Sequence, residues 1–556
     1  MKKILATVAV LLLVSVLFLA GCQEEAKPDY FELSKDGSTN YVIVNLLSDK
    51  SAANDLAKNL KLKGSTTFSV ADKPASGKNA IYIGTVEQLA SFGLPETELN
   101  YTAFQIAVSD NNIYVALTDE QFAKEVITRM KDYLVKVSDG QVSLDKSWLG
   151  NHDVAKISEV IPAFVTAKGK LYDVHDSGNG NFLLTYQNVP NLNEPITYEY
   201  TLIDAGYTLV QANEIGSNRF VTYIKGDTMI HCTYFAASKE YRIVYGPKTY
   251  LGDMQPVTNY EKKVTPSVSM LEVSGTGMSM VVQLADGSFI VIDGGHGQSI
   301  TEIQKQEDME RLLNFLTSNT PGGGKPQITW MITHPDPDHI DLPIDFIDKY
   351  ADKINVTTVC YNFPNMENIG LSSSNNPATY TSYINGFIGV VNKNFPNANH
   401  YITHTGNKLY LPGCEIEFLF NPSEDFYPAA MSSCNHTSIV WRMTIEGKTI
   451  LITGDIETGL SNKLANNYGN YLASNVLQVI HHGVNGGTTS FNSAAASGTA
   501  ANGNELAVCF WPIRSDRIWR TEEYASINKP LWDSDAVDYY LSETTTILLP
   551  SLQVKK

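Results

Sequence analysis

The sequence predicts a multi-domain α/β protein, in which a C-terminal domain of alternating strands and helices follows a small α/β domain and a β-rich domain. Apolar runs of strand length alternate with helical patterns in the first and last parts of the chain. The middle part shows a succession of strand-like runs. The 556 residues can form several cores, and 43% of them are hydrophobic and 18% charged, as in packed globular proteins.

The first 22 residues have the order of a secretory signal peptide. Lys2 and Lys3 precede an apolar run from Ile4 to Ala20, which a glycine and Cys22 follow. The Leu-Ala-Gly-Cys sequence resembles the lipobox of bacterial lipoproteins. This resemblance implies a lipid on Cys22 and a location at the cell membrane, facing the extracytoplasmic side. An uncleaved anchor helix is the alternative, although the apolar run is short for a membrane span.

The net charge and the number and spacing of the cysteines argue against several classes of protein. The chain has 59 acidic and 41 basic residues, a net charge of −18, which disfavours general attraction to nucleic acid or anionic lipid. We therefore predict no firm nucleic-acid partner, and the oligomeric state stays open. Apart from Cys22, five cysteines remain at irregular spacings without a CxxC pair, so no disulfide framework or thiolate zinc finger is predicted.

Residues 30–150 are predicted to form the small α/β domain. Its predicted elements are strands Tyr41–Leu47 and Asn79–Gly84, a hairpin over Ala103–Leu117 and a helix over Asp119–Leu134. This order resembles the accessory domain that precedes the catalytic barrel of several bacterial glycoside hydrolases. The resemblance carries no catalytic motif.

Residues 160–266 are predicted to form the β-rich domain and a linker. Strand-like runs such as Phe182–Tyr186 and Thr228–Phe235 are separated by short turns, which favours an antiparallel sheet. Aromatic residues such as Tyr198 and Tyr200 are interpreted as structural residues at strand spacing. The segment 246–266 contains three prolines and loses periodicity, as expected of a linker.

The C-terminal domain, residues 267–556, contains a segment rich in potential metal ligands. An apolar strand, Ile328–Thr333, leads into His334-Pro335-Asp336-Pro337-Asp338-His339. The prolines favour extended backbone at the residues before them. Two imidazoles and two carboxylates within six residues are best explained by a metal between them. A solvated turn is the alternative, and we expect a helix to begin at about Asp341.

Further predicted strands end in residues of the same kind. The strand Lys448–Thr453 is followed by Gly454-Asp455, and Val476–Ile480 by His481-His482. The opening strand ends in Asp293. Strands that each end in such residues predict a site at one edge of a sheet.

The phrases VIDGG, THPDPDH, ILITGD and VIHHG, each at a strand end, resemble the metallo-β-lactamase fold. They are most similar to the branch that contains the extracellular domain of the ComEC competence protein, which has HxDxDH. The resemblance covers residues 267–556 and implies an αββα sandwich with metals in a groove at the strand ends.

The resemblance also implies two divalent ions, zinc or alternatively manganese, and a ligand set. The implied ligands are His334 and Asp336 for one ion, Asp338 and His339 for the other, Asp455 between both, and either His481 or His482. His436 is a further ligand or a surface histidine. Asp338 and Asp455 would be the catalytic residues, and Asp293 a structural or supporting carboxylate. His296, His400 and His404 are interpreted as structural.

These assignments predict a lipid-anchored extracellular hydrolase that cleaves phosphodiesters with a hydroxide held between two metals. Arg514, Arg517 and Arg520 would contact phosphate or form a solvated basic face. One alternative is a hydrolase of another ester or amide, such as a lactone, a cell-wall phosphoester or a β-lactam. Another is a non-catalytic surface-binding lipoprotein, because a fold does not fix a function.

Overall fold

The computed structural model describes residues 30–94, 103–118, 120–138, 140–146, 149–153, 161–178, 181–275, 277–295, 300–364, 366, 376–424 and 433–555. The predicted signal peptide and Cys22 lie outside these residues. The chain divides into two compact units, 1–161 and 162–556. No helix within the described ranges is both long and apolar enough to cross a membrane.

The first unit contains two sheets and three helices within its described part. Its strands are β1 (Tyr30–Ser34), β2 (Tyr41–Asn45), β3 (Val70–Ala71), β4 (Asn79–Thr85), β5 (Ala103–Ser109), β6 (Asn112–Leu117), β7 (Leu134–Ser138), β8 (Gln141–Asp145) and β9 (Gly150–Asp153). Its helices are α1 (Ser51–Gly64), α2 (Val86–Ala90) and α3 (Ala123–Asp132). The larger sheet has the order β3-β2-β4-β6-β5-β9, and the smaller one β1-β8-β7. Leu56 and Leu60, one turn apart on α1, are fully buried.

The second unit begins with a six-stranded antiparallel sheet of order β10-β11-β15-β14-β13-β12. Its strands are β10 (Lys170–Gly178), β11 (Asn181–Gln187), β12 (Thr208–Ile215), β13 (Asn218–Lys225), β14 (Thr228–Phe235) and β15 (Glu240–Pro247). The predicted antiparallel sheet is therefore present.

One detail of that prediction was wrong. Tyr198 and Tyr200 lie on a helix, α4 (Asn193–Asp204), and not at strand spacing. Tyr198 is buried, whereas Tyr200 is exposed, as two positions on different faces of a helix can be.

The remainder of the second unit contains two mixed sheets. Their strands are β16 (Ser267–Met270), β17 (Ser279–Gln283), β18 (Phe289–Asp293), β19 (Gln327–Met331), β20 (Asn355–Tyr361), β21 (Asn399–Ile402), β22 (Lys408–Leu411), β23 (Cys414–Phe420), β24 (Val440–Ile445), β25 (Lys448–Ile452), β26 (Val476–Gln478), β27 (Val508–Trp511), β28 (Val537–Tyr540), β29 (Thr545–Leu548) and β30 (Gln553–Val554). One sheet has the order β21-β20-β19-β18-β17-β16-β29-β30, and the other runs from β22 to β28 in chain order.

The two sheets pack face to face between layers of helices. Ile290 of β18 and Ile450 of β25 belong to one buried cluster, which the facing sheets enclose. The helices are α5 (Glu302–Ser318), α6 (Pro337–Tyr350), α7 (Pro377–Asn394), α8 (Thr458–Tyr468), α9 (Thr489–Ala495), α10 (Trp519–Glu522) and α11 (Ala525–Trp532).

The outer faces of both sheets are covered by these helices. Val291, on the opposite face of β18 from Ile290, packs with residues of α5 and α6. Leu451 of β25 packs with residues of α8 and α9. The resulting αββα order confirms the predicted fold class. Burial of both sheet faces explains why these strands are continuous apolar runs. The boundary predicted at residue 267 stays a prediction, since both sides of it lie in one compact unit.

Candidate metal centre

The histidine- and aspartate-rich segment lies directly beyond the carboxyl end of β19. Asp336 has extended backbone (φ −72°, ψ 143°), as the following proline predicts. The helix α6 then begins at Pro337, four residues before the expected start, because proline is well suited to a first helical position. Asp338 and His339 consequently lie in the first turn of a helix.

Four of the predicted ligands come together. One ligand atom from each of Asp338, His339, Asp455 and His482 lies within 4.8 Å of all the others. The Asp455 Oδ2 atom is 3.2 Å from His339 Nε2 and 3.0 Å from His482 Nε2. Asp338 carboxylate oxygens lie 3.8 Å from His339 Nε2 and 3.5 Å from His482 Nε2. Asp455 is therefore the central carboxylate of the cluster.

Hydrogen bonds behind the cluster fix the direction of both imidazoles. The Nδ1 atom of His339 lies 2.7 Å from Asp293 Oδ2. The Nδ1 atom of His482 lies 2.6 Å from the carbonyl oxygen of Pro512, to which it can only donate. In both rings the Nε2 atom is left for the cluster, an arrangement usual among metal-binding histidines.

The turn that carries Asp455 is held by two neighbouring segments. The backbone N–H of Asp455 donates to Ser438 Oγ (2.9 Å). The preceding Gly454 has a φ of +53°, and a Cβ there would lie 3.0 Å from Ser438. The Gly454 N–H donates to the buried side chain of Gln478 at 2.8 Å. A glycine is required at this turn because the backbone is left-handed and the space is filled.

The two adjacent histidines are distinguished by the structure. Both have left-handed backbone, with φ of 47° at His481 and 59° at His482, which is uncommon for residues other than glycine and is found at functional sites. The Nε2 atom of His481 lies 4.0 Å from Asp455 Oδ2 and 3.1 Å from Asn435 Nδ2. His482, and not His481, therefore belongs to the four-residue cluster.

His334 and Asp336 lie beside the cluster. The ring of His334 is fully buried, 4.1 Å from that of His339 between centroids. Asp336 lines the same cavity as Asp338 and Asp455. His436 differs, since its Nε2 lies 3.2 Å from Glu457 Oε2 and the ring does not line the cavity. The neighbouring Asn435 lines the cavity instead.

Burial and neighbouring charges shift the pKa values of three residues at the site. Burial, with the positive charge of His339, lowers the pKa of His334 to about 3. Burial, with the charge of Asp338, raises the pKa of Asp336 to about 7. Burial alone would lower the pKa of His482, but Asp455 and Asp338 outweigh it and raise that pKa to about 10. Crowded carboxylates thus need a positive charge among them.

The residues fit a metal. The buried atoms His334 Nε2 and Asp455 Oδ1 have no hydrogen-bond partner among the described residues. An unpartnered buried polar atom is costly, and two at one carboxylate cluster indicate a ligand. Imidazole nitrogens and carboxylate oxygens are donors that zinc and manganese accept.

The cluster opens into a cavity of about 220 Å³. Its other walls include Arg514, Arg517 and Arg520. The sequence singled out these arginines but not Thr333, whose hydroxyl contacts both Asp293 and His334, nor the Pro512 carbonyl. A main-chain acceptor has no sequence signal, whereas Thr333 adjoins the motif and could have been found.

The remaining histidines take other positions. His400 contacts Tyr361 and Asn392, as a structural residue would. His404 is buried and pairs with Glu424, away from the metal-ligand cluster. His296 lies outside the described residues. The five cysteines after Cys22 are buried and unpaired.

No protein-family model matches the chain, and no curated protein matches it. Solved structures are similar to this chain, and three of them are described here. CmlA, a diiron β-hydroxylase from Streptomyces venezuelae, is 10% identical over 55% of each chain, with a TM-score of 0.31, so about half of its length is matched. Human tRNase Z, short form, is 13% identical over 38% of this chain and 76% of that one, with a TM-score of 0.21. A mutant flavo-diiron protein from Thermotoga maritima is 11% identical over 42% of this chain and 46% of that one, also at 0.21.

These TM-scores are too low to assign a family. The fold is evident from the chain's own sheets, whose αββα order is that of the metallo-β-lactamase fold.

Proposed function

We propose that this chain is a metal-dependent hydrolase of phosphodiester bonds, related to the ComEC-like branch. The observation that carries the proposal is that Arg514, Arg517 and Arg520 line the same cavity as the His/Asp cluster. Guanidinium groups match phosphate oxygens in charge and geometry. A cavity that combines metal ligands with three arginines therefore suits an anionic phosphoester.

Two divalent ions, zinc or alternatively manganese, would occupy the site. Asp338, His339, Asp455 and His482 would hold one ion, and His334 with Asp336 the other, with Asp455 shared. Bound ions would polarise the phosphoryl oxygens and activate a water for attack. The carboxylate of Asp336 in place of an imidazole favours harder ions such as manganese more than an all-histidine set would.

The chain's own side chains have separate tasks in this proposal. Asp338 is the most exposed carboxylate of the cluster, with 22% of its side chain accessible, and is placed to orient the attacking water. Arg517 and Arg520 are exposed, and within the described part of the chain neither forms an ion pair. Both guanidinium groups are consequently available for the phosphate.

Metal content and a substrate panel test the proposal together. The purified protein should contain close to two equivalents of metal per chain by elemental analysis. It should cleave bis(p-nitrophenyl) phosphate faster than a lactone or a chromogenic cephalosporin. Asp455→Asn should abolish this cleavage, whereas Asp286→Asn, on a surface turn where the carboxylate accepts from Ser288, should not.

Other outcomes of the metal analysis and the substrate panel would support a different function. Faster turnover of the lactone or cephalosporin would replace the phosphodiester assignment by the corresponding alternative. A protein that purifies without metal would favour the non-catalytic surface-binding reading. Equal phosphodiesterase activity in wild type and Asp455→Asn would show that the site is not responsible.

The proposed location is the extracytoplasmic side of the cell membrane, through a lipid on Cys22. The basic start, the apolar run and the Leu-Ala-Gly-Cys sequence support it. In bacterial cells, Cys22→Ser should prevent incorporation of labelled palmitate and release the protein from the membrane fraction. Cys434→Ser, at a buried position, is the matched control. Incorporation of label that persists in Cys22→Ser would refute the anchor.

A further inference from the structure

A second cavity lies within the unit of residues 162–556, between the antiparallel sheet and the strand ends of β20 and β21. Its volume is about 330 Å³, within the usual range of small-molecule sites. The antiparallel sheet contributes residues of β11, β14 and β15, and the sandwich contributes the segments after β20 and β21. Among the described residues that line it there is no aspartate, glutamate, lysine or arginine. The cavity therefore suits a neutral ligand.

Aromatic residues from both sides line this cavity. Phe182 and Tyr245 form a stacked pair with centroids 4.8 Å apart and an interplanar angle of 20°. Tyr361 and Phe363 form another, also with centroids 4.8 Å apart, at 11°. All four residues line the cavity. Aromatic walls of this kind bind flat-faced rings by stacking.

Four buried polar atoms of the lining have no hydrogen-bond partner among the described residues. They are Asn181 Oδ1, Thr249 Oγ1, Asn362 Oδ1 and His404 Nε2. The side chain of Asn362 is positioned by its Nδ2, which donates to the Thr403 carbonyl at 2.6 Å. Its Oδ1 is thereby left as an acceptor. A ligand with N–H or O–H groups would satisfy such atoms, whose burial alone is unfavourable.

His404 is held rigidly at this cavity. Its Nδ1 contacts Glu424, whose other carboxylate oxygen accepts the Thr405 N–H at 2.8 Å. Its ring stacks on His231 with centroids 5.0 Å apart. Nδ1 is therefore occupied, and Nε2 is the ring nitrogen that remains for a ligand. These contacts join segments that are distant in the sequence, so the fold itself fixes His404 at the cavity wall.

We propose that this cavity binds a small neutral ring compound that carries N–H or O–H donors, of the size of a nucleoside or a monosaccharide. The ring would stack on the aromatic walls, and its donors would reach Asn181, Asn362 and Thr249. This site is separate from the candidate metal centre, with which it shares no lining residue. The inference does not depend on the hydrolase proposal.

The test uses calorimetric titration of the full protein with two sets of probes, neutral nucleosides and neutral methyl pyranosides. Thr249→Val keeps the side-chain shape and removes the hydroxyl, so it should weaken binding about fivefold to tenfold. Gly246→Ala should weaken it as well, since the added Cβ would lie 2.7 Å from Asn181 Oδ1. Thr197→Val, at an exposed position on α4, is the matched control and should bind like wild type.

The outcomes separate this site from the metal centre. Asp455→Asn should bind the same probe as wild type while losing hydrolysis, so either proposal can fail alone. Binding of only one probe set identifies which ring chemistry the site accepts. Absence of binding by every probe, or undiminished binding in both cavity variants, would overturn the proposal. Thr249→Val should fold as stably as wild type because it removes an unpartnered hydroxyl. It therefore keeps the test valid if Gly246→Ala is unstable.

Discussion

Asp293, at the end of β18, lies 2.7 Å from Nδ1 of His339, which is 46 positions further along the chain. The same carboxylate accepts the N–H and the hydroxyl of Thr333, both at 2.7 Å. Asp293 is fully buried, and burial raises its pKa, an effect that His339 opposes. The carboxylate thus fixes the imidazole so that Nε2 points at Asp455.

We predict that Asp293→Asn lowers metal affinity about tenfold to a hundredfold, because it weakens the contact that orients His339. Competition with a chromogenic chelator measures this change. Asp286→Asn, on a surface turn, is the control and should leave the affinity unchanged. Equal affinities in Asp293→Asn and wild type would show that the contact is not needed for metal binding.

Metal binding should release protons. Burial alone would lower the pKa of both His339 and His482, but neighbouring carboxylates outweigh it: they raise the pKa of His339 well above its usual value and that of His482 to about 10. The His482 imidazole is therefore protonated at pH 8 without metal. Since metals bind the neutral imidazole, zinc addition should displace at least about one proton per chain. A pH-indicator titration of metal-free protein in weak buffer counts them.

The matched variants for this count are His482→Ala and His400→Ala. The first removes one titrating imidazole and should reduce the number of protons released by about one. The second changes a histidine that contacts Tyr361 outside the cluster and should leave the number unaltered. Zinc binding without proton release would contradict the arrangement of charges inferred for the site.

His231 makes folding stability depend on pH. Burial lowers its pKa to about 4; the charge of Glu424 opposes this change and that of His404 adds to it. Between pH 6.5 and about 4 the unfolded chain binds a proton at this residue and the folded chain does not. The free energy of unfolding therefore falls as the pH falls through this window, by on the order of 3 kcal/mol.

Denaturant titrations of wild type and His231→Gln at several pH values measure this contribution. Subtracting the two curves removes the effects of other titrating groups, such as Glu424. Burial would raise the pKa of Glu424, but His404 helps to lower it to about 2. The difference should change between pH 6.5 and 4 and be constant above pH 7. A difference that is constant throughout would refute the assignment.

The sandwich and most of the cluster could be predicted from the sequence because parallel strands place their carboxyl ends at one edge. Asp293, His334 and Asp455 each follow an apolar strand, so their convergence was expected. The choice between His481 and His482 could not be made, since it depends on left-handed backbone and on the Pro512 carbonyl.

Other features depend on contacts between distant segments. The sequence predicts the start of α6 too late because the aspartates and prolines of the motif are typical of a loop, whereas the helix begins at Pro337. It does not predict the helix α4, because the aromatic residues of this helix are typical of strands. The second cavity is lined by residues as distant in the sequence as Asn181 and His404, and no local pattern indicates that they line one cavity.

The arginines of the metal cavity should act on substrate binding. We predict that Arg517→Ala and Arg520→Ala each raise KM for bis(p-nitrophenyl) phosphate about threefold to tenfold, with a smaller change in kcat. The reason is that both arginines are exposed and would pair with the phosphate equally in the ground state and in the transition state. The KM of the wild type should also rise with ionic strength, and the KM of each variant should rise less steeply.

The control is Lys529→Ala, which removes an exposed charge that pairs with Asp533 and should leave KM unchanged. If both arginine variants keep the wild-type KM and salt dependence, the cavity does not recognise phosphate through these side chains, and the phosphodiester assignment loses its main support.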